Sequence, residues 1–420
     1  MKQFKIGVFG TGRGMDIGYN LWTMGCKITA VCDAREENLT LTREFAEREK
    51  LDIAFCHDFD DFIGHDMDAV VLANFFHEHA PYAIKCFERG IHVISECISN
   101  GTMAEGVELL RAFKKSNCIY MLAENYPQMI FNREMRRIKD SGTLGKILYA
   151  EGEYNHPTSA YDIGFAKNYR YFEKHWRHFT PRTYYITHSL GPCMWITGAT
   201  PKRVTAYTVF NPNTDPDAPI ASYSGGGVSV ITTQNDDGSV FRVTGSANFG
   251  GHHNSYRVCG VNGSVENLRG TDEIMLRYNS WSAPDGIEIK RYKPEWNDPD
   301  EDKIVKSGHG GADYITARIF LKCLETGTQP EHPFDIRSAI AMSSVAILGH
   351  RSVLNGNIPY DIPDFDREED CRLYENDDLS PHYRSDGRAP TIPASSHPDY
   401  KPLDSQLESY RKAMGIVKEN

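Results

Sequence analysis

Short apolar runs separated by amphipathic stretches fill the first third of the chain. Phe4 to Phe9 (FKIGVF), Lys27 to Cys32 (KITAVC), Asp68 to Ala73 (DAVVLA), His92 to Ser95 (HVIS) and Ile119 to Ala123 read as buried strands. Between them Asp16 to Met24, the charged Glu36 to Lys50, Ala80 to Arg89 and Thr102 to Ser116 read as helices. Strands alternating with helices predict parallel βαβ units and a doubly wound sheet. After about residue 124 the rhythm changes. A helix from Phe131 to Ser141 runs into the turn Gly142-Thr143-Leu144-Gly145 and a strand from Lys146 to Tyr154. Further strands are expected at Lys202 to Phe210, Gly227 to Gln234 and Val240 to Ala247, with turn signals at 235–238 and at Asn262-Gly263. Strands joined by short turns predict a mostly antiparallel open sheet, completed as an α/β unit by helices from Ala312 to Thr326 and from Ile336 to Asn355.

Composition narrows the class. The 420 residues are 40% hydrophobic and 25% charged, enough for two or three separate cores. A net charge of -11, with no polybasic run, argues against nucleic acid as a partner. No stretch approaches the roughly 20 apolar residues that span a bilayer, so no membrane partner is expected. Met1 to Phe4 lead straight into a strand, which leaves no room for a signal peptide. Ten cysteines without a C-x-x-C pair read as thiols in a reducing compartment, and the cytoplasm is expected. No metal is expected. His77-Glu78-His79 lacks zinc spacing and a third ligand, and His252 and His253 would face opposite sides of a strand.

The first strand ends on Gly10-Thr11-Gly12-Arg13-Gly14. Glycines at such a turn let the backbone approach a pyrophosphate, and the following helix offers free N–H groups. The third glycine of G-x-G-x-x-G would fall at Met15, so the fingerprint is imperfect. Asp33 closes the second strand about twenty residues on, where an acid accepts hydrogen bonds from the adenosine ribose. It favours NAD over NADP by repelling a 2′-phosphate, although Arg35 nearby keeps NADP open. With Gly10, Gly12, Arg13, Gly14 and Asp33, the cofactor side is expected to include Asn74, His79, Glu96 and Asn125. The organisation expected is an NAD-binding Rossmann domain over 1–123, a substrate and oligomerisation domain over 124–365, and a tail rich in Pro, Asp and Ser over 366–420 that wraps the surface.

These residues resemble the Gfo/Idh/MocA family of sugar and polyol oxidoreductases. The likeness rests on KIGVFGTGRG, on Val70 to Glu96, on Ser141-Gly142-Thr143-Leu144-Gly145-Lys146 and on Asp361-Ile362-Pro363-Asp364-Phe365. It implies a substrate held between the two domains over the nicotinamide, and a homo-oligomer built on the open sheet. One departure stands out. The family's Glu-Lys-Pro, with its catalytic lysine, is Glu96-Cys97-Ile98 here.

A branch without that lysine, the NAD-dependent glycoside hydrolases of family 109, resembles the chain at four further places. They are Ala123 to Tyr126, Gly152 to His156, His175-Trp176-Arg177 and Tyr185 to Pro192. The resemblance implies a pocket of Glu124, Tyr154, Arg177, Tyr185 and His188, with His309 and Asp313 as further substrate contacts. Ile186 replaces the branch's proline in Tyr-Pro-Thr-His.

The residues themselves allow the same chemistry. Oxidising a secondary alcohol needs a base for the hydroxyl proton, and a Tyr or His is the natural substitute for lysine. Tyr185 and His188, three apart, would share one face of a helical turn. His188 can accept a proton near neutrality, and Tyr185 can do so if a cation such as Arg177 lowers its pKa. Tyr154 and His156 alternate along a strand and face one side. Glu124 follows the last Rossmann strand, where ligands gather, though a cap or interdomain salt bridge is the alternative. Tyr169-Arg170-Tyr171-Phe172 offers rings for a sugar, or an ordinary surface cluster. Three functions remain: net oxidation of a carbohydrate or cyclitol hydroxyl, ranked first; glycoside cleavage with recycled NAD, close behind; and dinucleotide binding without turnover.

Overall fold

The computed structural model describes residues 2–219, 222–245, 248–295 and 297–416. Its first lobe alternates β1 Lys5–Phe9, α1 Thr11–Thr23, β2 Lys27–Cys32, α2 Glu36–Glu49, β3 Ala54–Cys56, α3 Phe59–Phe62, β4 Ala69–Leu72, α4 His79–Glu88, β5 His92–Ser95, α5 Met103–Lys114 and β6 Tyr120–Leu122. The six strands form one parallel sheet of order β3-β2-β1-β4-β5-β6. Helices cover both faces, so β4 is buried at all four of its residues, Ala69, Val70, Val71 and Leu72. Each such Val or Leu contributes about 1.5–3 kcal/mol relative to exposure.

The first helix begins at Thr11, five residues before the expected Asp16. Gly12 and Gly14 in its first turn, after Gly10 at the cap, disguise it, because glycine has low helix propensity. Gly10 caps it with φ 87°, a left-handed conformation that glycine adopts without strain.

The second lobe runs through α6 Ile130–Asp140, β7 Ile147–Asn155, α7 Ile163–Tyr169, α8 Trp176–Phe179, α9 Thr187–Thr197, β8 Pro201–Phe210, β9 Gly226–Asn235 and β10 Val240–Thr244. It continues with β11 His253–Gly260, β12 Gly263–Asn267, β13 Ile274–Tyr278, β14 Ile289–Tyr292, α10 Glu301–Ile304, α11 Ala312–Thr326, α12 Ile336–Leu354 and β15 Tyr360–Asp361. Nine strands make one sheet of order β14-β13-β12-β11-β7-β10-β9-β8-β15, antiparallel except where β10 meets β7. Ser246 and Ala247, at the end of the expected strand from Val240, lie outside the described residues. Helices α9 and α12 pack on one face of this sheet, and α11 crosses to lie against α1.

Parts of the tail are buried in the body of the protein. Helices α13 Glu368–Tyr374 and α14 Asp404–Met414 flank a stretch whose His382 is fully buried, and within α14 Gln406 is fully buried too. Among the described residues no helix is long and apolar enough to cross a membrane.

Candidate active site

Doubly wound folds bind dinucleotides at the C-terminal edge of their strands, which here carries Gly10, Asp33 and Asn74. A Cβ on Gly10 would stand 2.3 Å from the Ala73 carbonyl oxygen, so only glycine permits that approach. Gly12 faces open space, its nearest neighbour the Asn38 amide at 3.7 Å. The packing role of a third fingerprint glycine is taken by Gly14. A Cβ there would meet Val8 Cγ1 at 2.8 Å and Ala73 Cβ at 3.1 Å. Asp33 is buried and accepts from the Thr11 backbone at 2.7 Å, the Asn38 amide at 3.0 Å and the Arg35 backbone at 2.9 Å.

Further along the edge, Asn74 Oδ1, His79 Nε2 and Asn125 Oδ1 are buried with no hydrogen-bond partner among the described residues. Because His79 Nδ1 donates to the Ile98 carbonyl at 2.7 Å, Nε2 carries the free lone pair. Buried polar atoms left unpaired cost free energy unless a ligand meets them. Gly10, the open surface at Gly12 and these orphaned atoms together fit a nicotinamide dinucleotide.

Arg13 and Asp313, expected on cofactor and substrate, hold each other instead. The guanidinium donates to both Asp313 oxygens at 2.7 and 2.8 Å and to Glu96 at 2.8 Å. Asp313 also accepts from Asn125 at 2.6 Å and from His309 at 2.9 Å. Burial pushes its carboxyl up, but Arg13 and His309 pull it far below the usual range. The group is an ion-paired clamp between the lobes, and His309, partly exposed, sits at its rim.

The proton-handling groups gather where α9 meets β7. Gly152 permits that contact, since a Cβ there would lie 2.0 Å from the Ser189 carbonyl oxygen. His188, in the first turn of α9, places Nδ1 at 2.9 and 3.0 Å from the two oxygens of Glu124. Glu124 is fully buried, and it also accepts from the Tyr126 backbone at 3.1 Å and from the Cys97 thiol at 3.3 Å. Burial raises its pKa, but His188, Thr187 and Cys97 outweigh that and hold it below the ordinary carboxylate range. An ionised Glu124 therefore requires the proton on His188 Nδ1, and leaves Nε2 as the nitrogen available to a ligand. Gly191, one turn on, makes room for this pair: a Cβ there would meet Glu124 Cγ at 2.7 Å.

Cys97, at the family's lysine position, is thus a thiol donor to Glu124. Burial, with Glu124 and Glu96 nearby, raises its pKa well above the free thiol. Tyr126 stacks on His188 at 4.2 Å, and Tyr154 and Tyr185 meet the imidazole edge-on at 4.9 and 5.5 Å. The expectation that Arg177 makes Tyr185 a base fails. Burial raises the phenol more than Arg177 lowers it, and Tyr154 is raised still further by burial and neighbouring tyrosines. Both remain hydrogen-bond donors near neutral pH.

His156 lies 5.7 Å from Tyr154 and 4.8 Å from His252; burial, His252 and Arg177 lower its pKa, so it stays neutral. The neighbouring His253 turns away to Glu153 at 3.0 Å. Arg177 stacks on Trp176 at 4.3 Å and, among the described residues, has no carboxylate within ion-pair distance. Tyr126 was the ring that sequence reasoning left without a role, although it closes the quoted Ala123 to Tyr126 segment. Tyr171 and Phe172 lie against the first lobe, beside Arg35 and Phe75.

A two-lobed architecture of this kind defines the Gfo/Idh/MocA class. Residues 4–124 match the family model described as oxidoreductase family, NAD-binding Rossmann fold. Residues 134–370, more than half of the chain, match the model for the glycosyl hydrolase 109 C-terminal domain, and the chain belongs to that family. It is similar to glycosyl hydrolase family 109 protein 1 of Bacteroides thetaiotaomicron, 24% identical over 87% of this chain and 85% of the relative. An alpha-N-acetylgalactosaminidase of Bacteroides fragilis is likewise 24% identical, over 84% of this chain and 90% of its own. Among solved structures, levoglucosan dehydrogenase in complex with NADH and levoglucosan superposes with a TM-score of 0.70 at 19% identity, covering 86% of this chain and all of that one. Myo-inositol 2-dehydrogenase from Lactobacillus plantarum gives 0.63 at 20% identity with the same coverage. At such identities the two structures speak for the fold.

Proposed function

We propose that the protein uses NAD to oxidise a secondary hydroxyl of a glycoside transiently, cleaves the glycosidic bond, and restores the hydroxyl with the same cofactor. The observation that carries this reading is the Glu124–His188 pair backed by the Cys97 thiol. It moves proton handling from the first lobe, where the class keeps a lysine, to α9 of the family 109 lobe.

Bound along Gly10, Gly12, Asp33, Asn74, His79 and Asn125, a nicotinamide dinucleotide supplies a hydride acceptor and then a hydride donor. His188 accepts the sugar hydroxyl proton at Nε2, and Glu124 stabilises the resulting imidazolium through Nδ1. A carbonyl in the ring acidifies the adjacent C–H; neutral His156 takes that proton as the glycosidic C–O bond breaks, and after the aglycone leaves, water adds at the anomeric carbon while His156 returns the proton to its neighbour. Tyr154 and Tyr185, kept protonated by burial, donate to sugar oxygens and to the departing group. Arg177, with no carboxylate at ion-pair distance among the described residues, is placed to bind the substrate. NAD is favoured over NADP because the Arg35 guanidinium is already committed to Tyr171 and to the Asn168 carbonyl at 3.1 Å.

The likeness to sugar dehydrogenases supports a second reading, net oxidation with NADH released. A panel of nitrophenyl glycosides, with aglycone and reduced nicotinamide followed together, separates the two. Aglycone release without lasting NADH is expected. Stoichiometric NADH with an intact glycoside would overturn cleavage in favour of the dehydrogenase, and neither signal on any sugar would leave only dinucleotide binding.

A further inference from the structure

The aromatic run after α7 crosses the mouth of the dinucleotide cleft. Arg35, two residues beyond Asp33, stacks on Tyr171 at 4.2 Å and donates to the Asn168 carbonyl at 3.1 Å. Phe172 packs 6.0 Å from Phe75, which lies just past β4, and His175 meets the same ring at 5.4 Å. The segment therefore reaches from the end of β2 to the end of β4. Dinucleotides lie along that edge of a doubly wound sheet.

The outer side of this segment is fastened by α14. Tyr410, only 4% exposed, donates its hydroxyl to the Arg170 carbonyl and meets His178 edge-on at 5.1 Å. Arg411 pairs with Glu173. Gln406 ties α14 to the carbonyls of Asn213 and Asp215 at 2.9 and 2.8 Å, and the Asp215 side chain accepts from Tyr161, where the segment begins. An isolated helix of 11 residues is marginal in water, so α14 keeps its place through these few contacts. The Arg411–Glu173 pair is partly exposed and worth little by itself, which leaves Tyr410 as the main fastener.

We propose that residues 161–175 form a strap over the adenosine half of the bound dinucleotide and that α14 is its latch, so that the cofactor exchanges only when α14 lifts. The proposal rests on the dinucleotide reading above and assigns the C-terminal tail a part in cofactor retention. Tyr171 and Asn168 hold the strap to the first lobe through Arg35, next to the acid expected to bind the ribose. Tyr410 and Arg411 hold it from outside.

The test is the release rate of NADH from the full-length protein, read as loss of nicotinamide fluorescence on dilution into excess NAD. Tyr410→Ala and Tyr171→Ala should each speed release by about tenfold, the kinetic equivalent of one buried hydrogen bond with its packing for Tyr410 and of a stacked guanidinium for Tyr171. Glu173→Arg should also speed it, and the charge swap Glu173→Arg with Arg411→Glu should restore slow release, which a damaged fold would not. Wild-type rates in both tyrosine variants would overturn the strap. Asp33→Ala separates the two claims. If it speeds release while Tyr410→Ala and Tyr171→Ala do not, the dinucleotide reading stands and the strap alone falls. If the wild-type protein binds no NADH, both fall.

Discussion

In the proposed reaction Glu124, fully buried, fixes the proton on His188 Nδ1; the Cys97 thiol donates to the carboxylate and Gly191 leaves it room. Glu124→Gln should therefore lower kcat by about 10²–10⁴, the range seen when an orienting carboxylate is lost from a base. Cofactor affinity should be kept. Steady-state rates with a parallel NADH titration check this, and an unchanged kcat would remove the carboxylate from proton transfer. The residue types of this pocket were legible in the sequence, because Glu124, Tyr154, Tyr185 and His188 stand in short quotable segments. Their division of labour was not. Whether Tyr185 is base or donor depends on burial outweighing Arg177, and the Cys97–Glu124 contact joins residues 27 apart. No local pattern records either.

Among elements, the tail between α13 and α14 carries the clearest pH dependence. His382 stacks on His77 at 4.6 Å, His77 donates to the Tyr383 carbonyl at 2.8 Å, and His350 meets the Pro393 carbonyl at 2.8 Å. Ser385 and Arg384 complete the docking on Glu78 and Glu105. Burial lowers His77 to about 3 and His350 to about 4, with Arg384 and Arg351 adding to the effect. Folded pKa values below the unfolded value of about 6.5 mean that this stability is complete above that pH and drains as pH falls towards them. At pH 5 each buried imidazole costs on the order of 2 kcal/mol. The tail should thus loosen between pH 6.5 and 4, seen as hydrogen exchange rising in residues 377–395 before either sheet opens. Uniform exchange across that range would count against it. The strands and long helices were readable because period 2 and period 3.6 are local. The tail was not, because its composition looks like a surface strand of polar residues, and it is buried through long-range contacts of single polar side chains.

At the scale of the molecule, the two lobes are joined by more than a linker. Arg13 on α1 and Asp313 on α11 are 300 residues apart and form a bidentate pair with Asp313 only 2% exposed. Asp313→Ala removes the buried acceptor of a guanidinium that stays paired with Glu96, and should cost about 1–3 kcal/mol. Calorimetry should then show the lobes melting as two transitions where the parent shows one; a single unshifted transition would mean that the clamp contributes nothing. The architecture of both sheets was foreseeable from pattern, whereas the clamp was hidden because each partner had an obvious local employment, one in a glycine turn and one in a motif.

Order of synthesis gives the position of α14 a further meaning. Protein chains emerge from the ribosome beginning at the N-terminus, and lobes fold as they appear. The glycine turn at Gly10, Asp33 and the Glu124–His188 pair are all made before residues 404–414 leave the exit tunnel. A nascent molecule therefore has an interval in which its nucleotide groove is complete but its outermost fastening has not yet been made. A molecule that takes up its coenzyme in that interval carries it from birth.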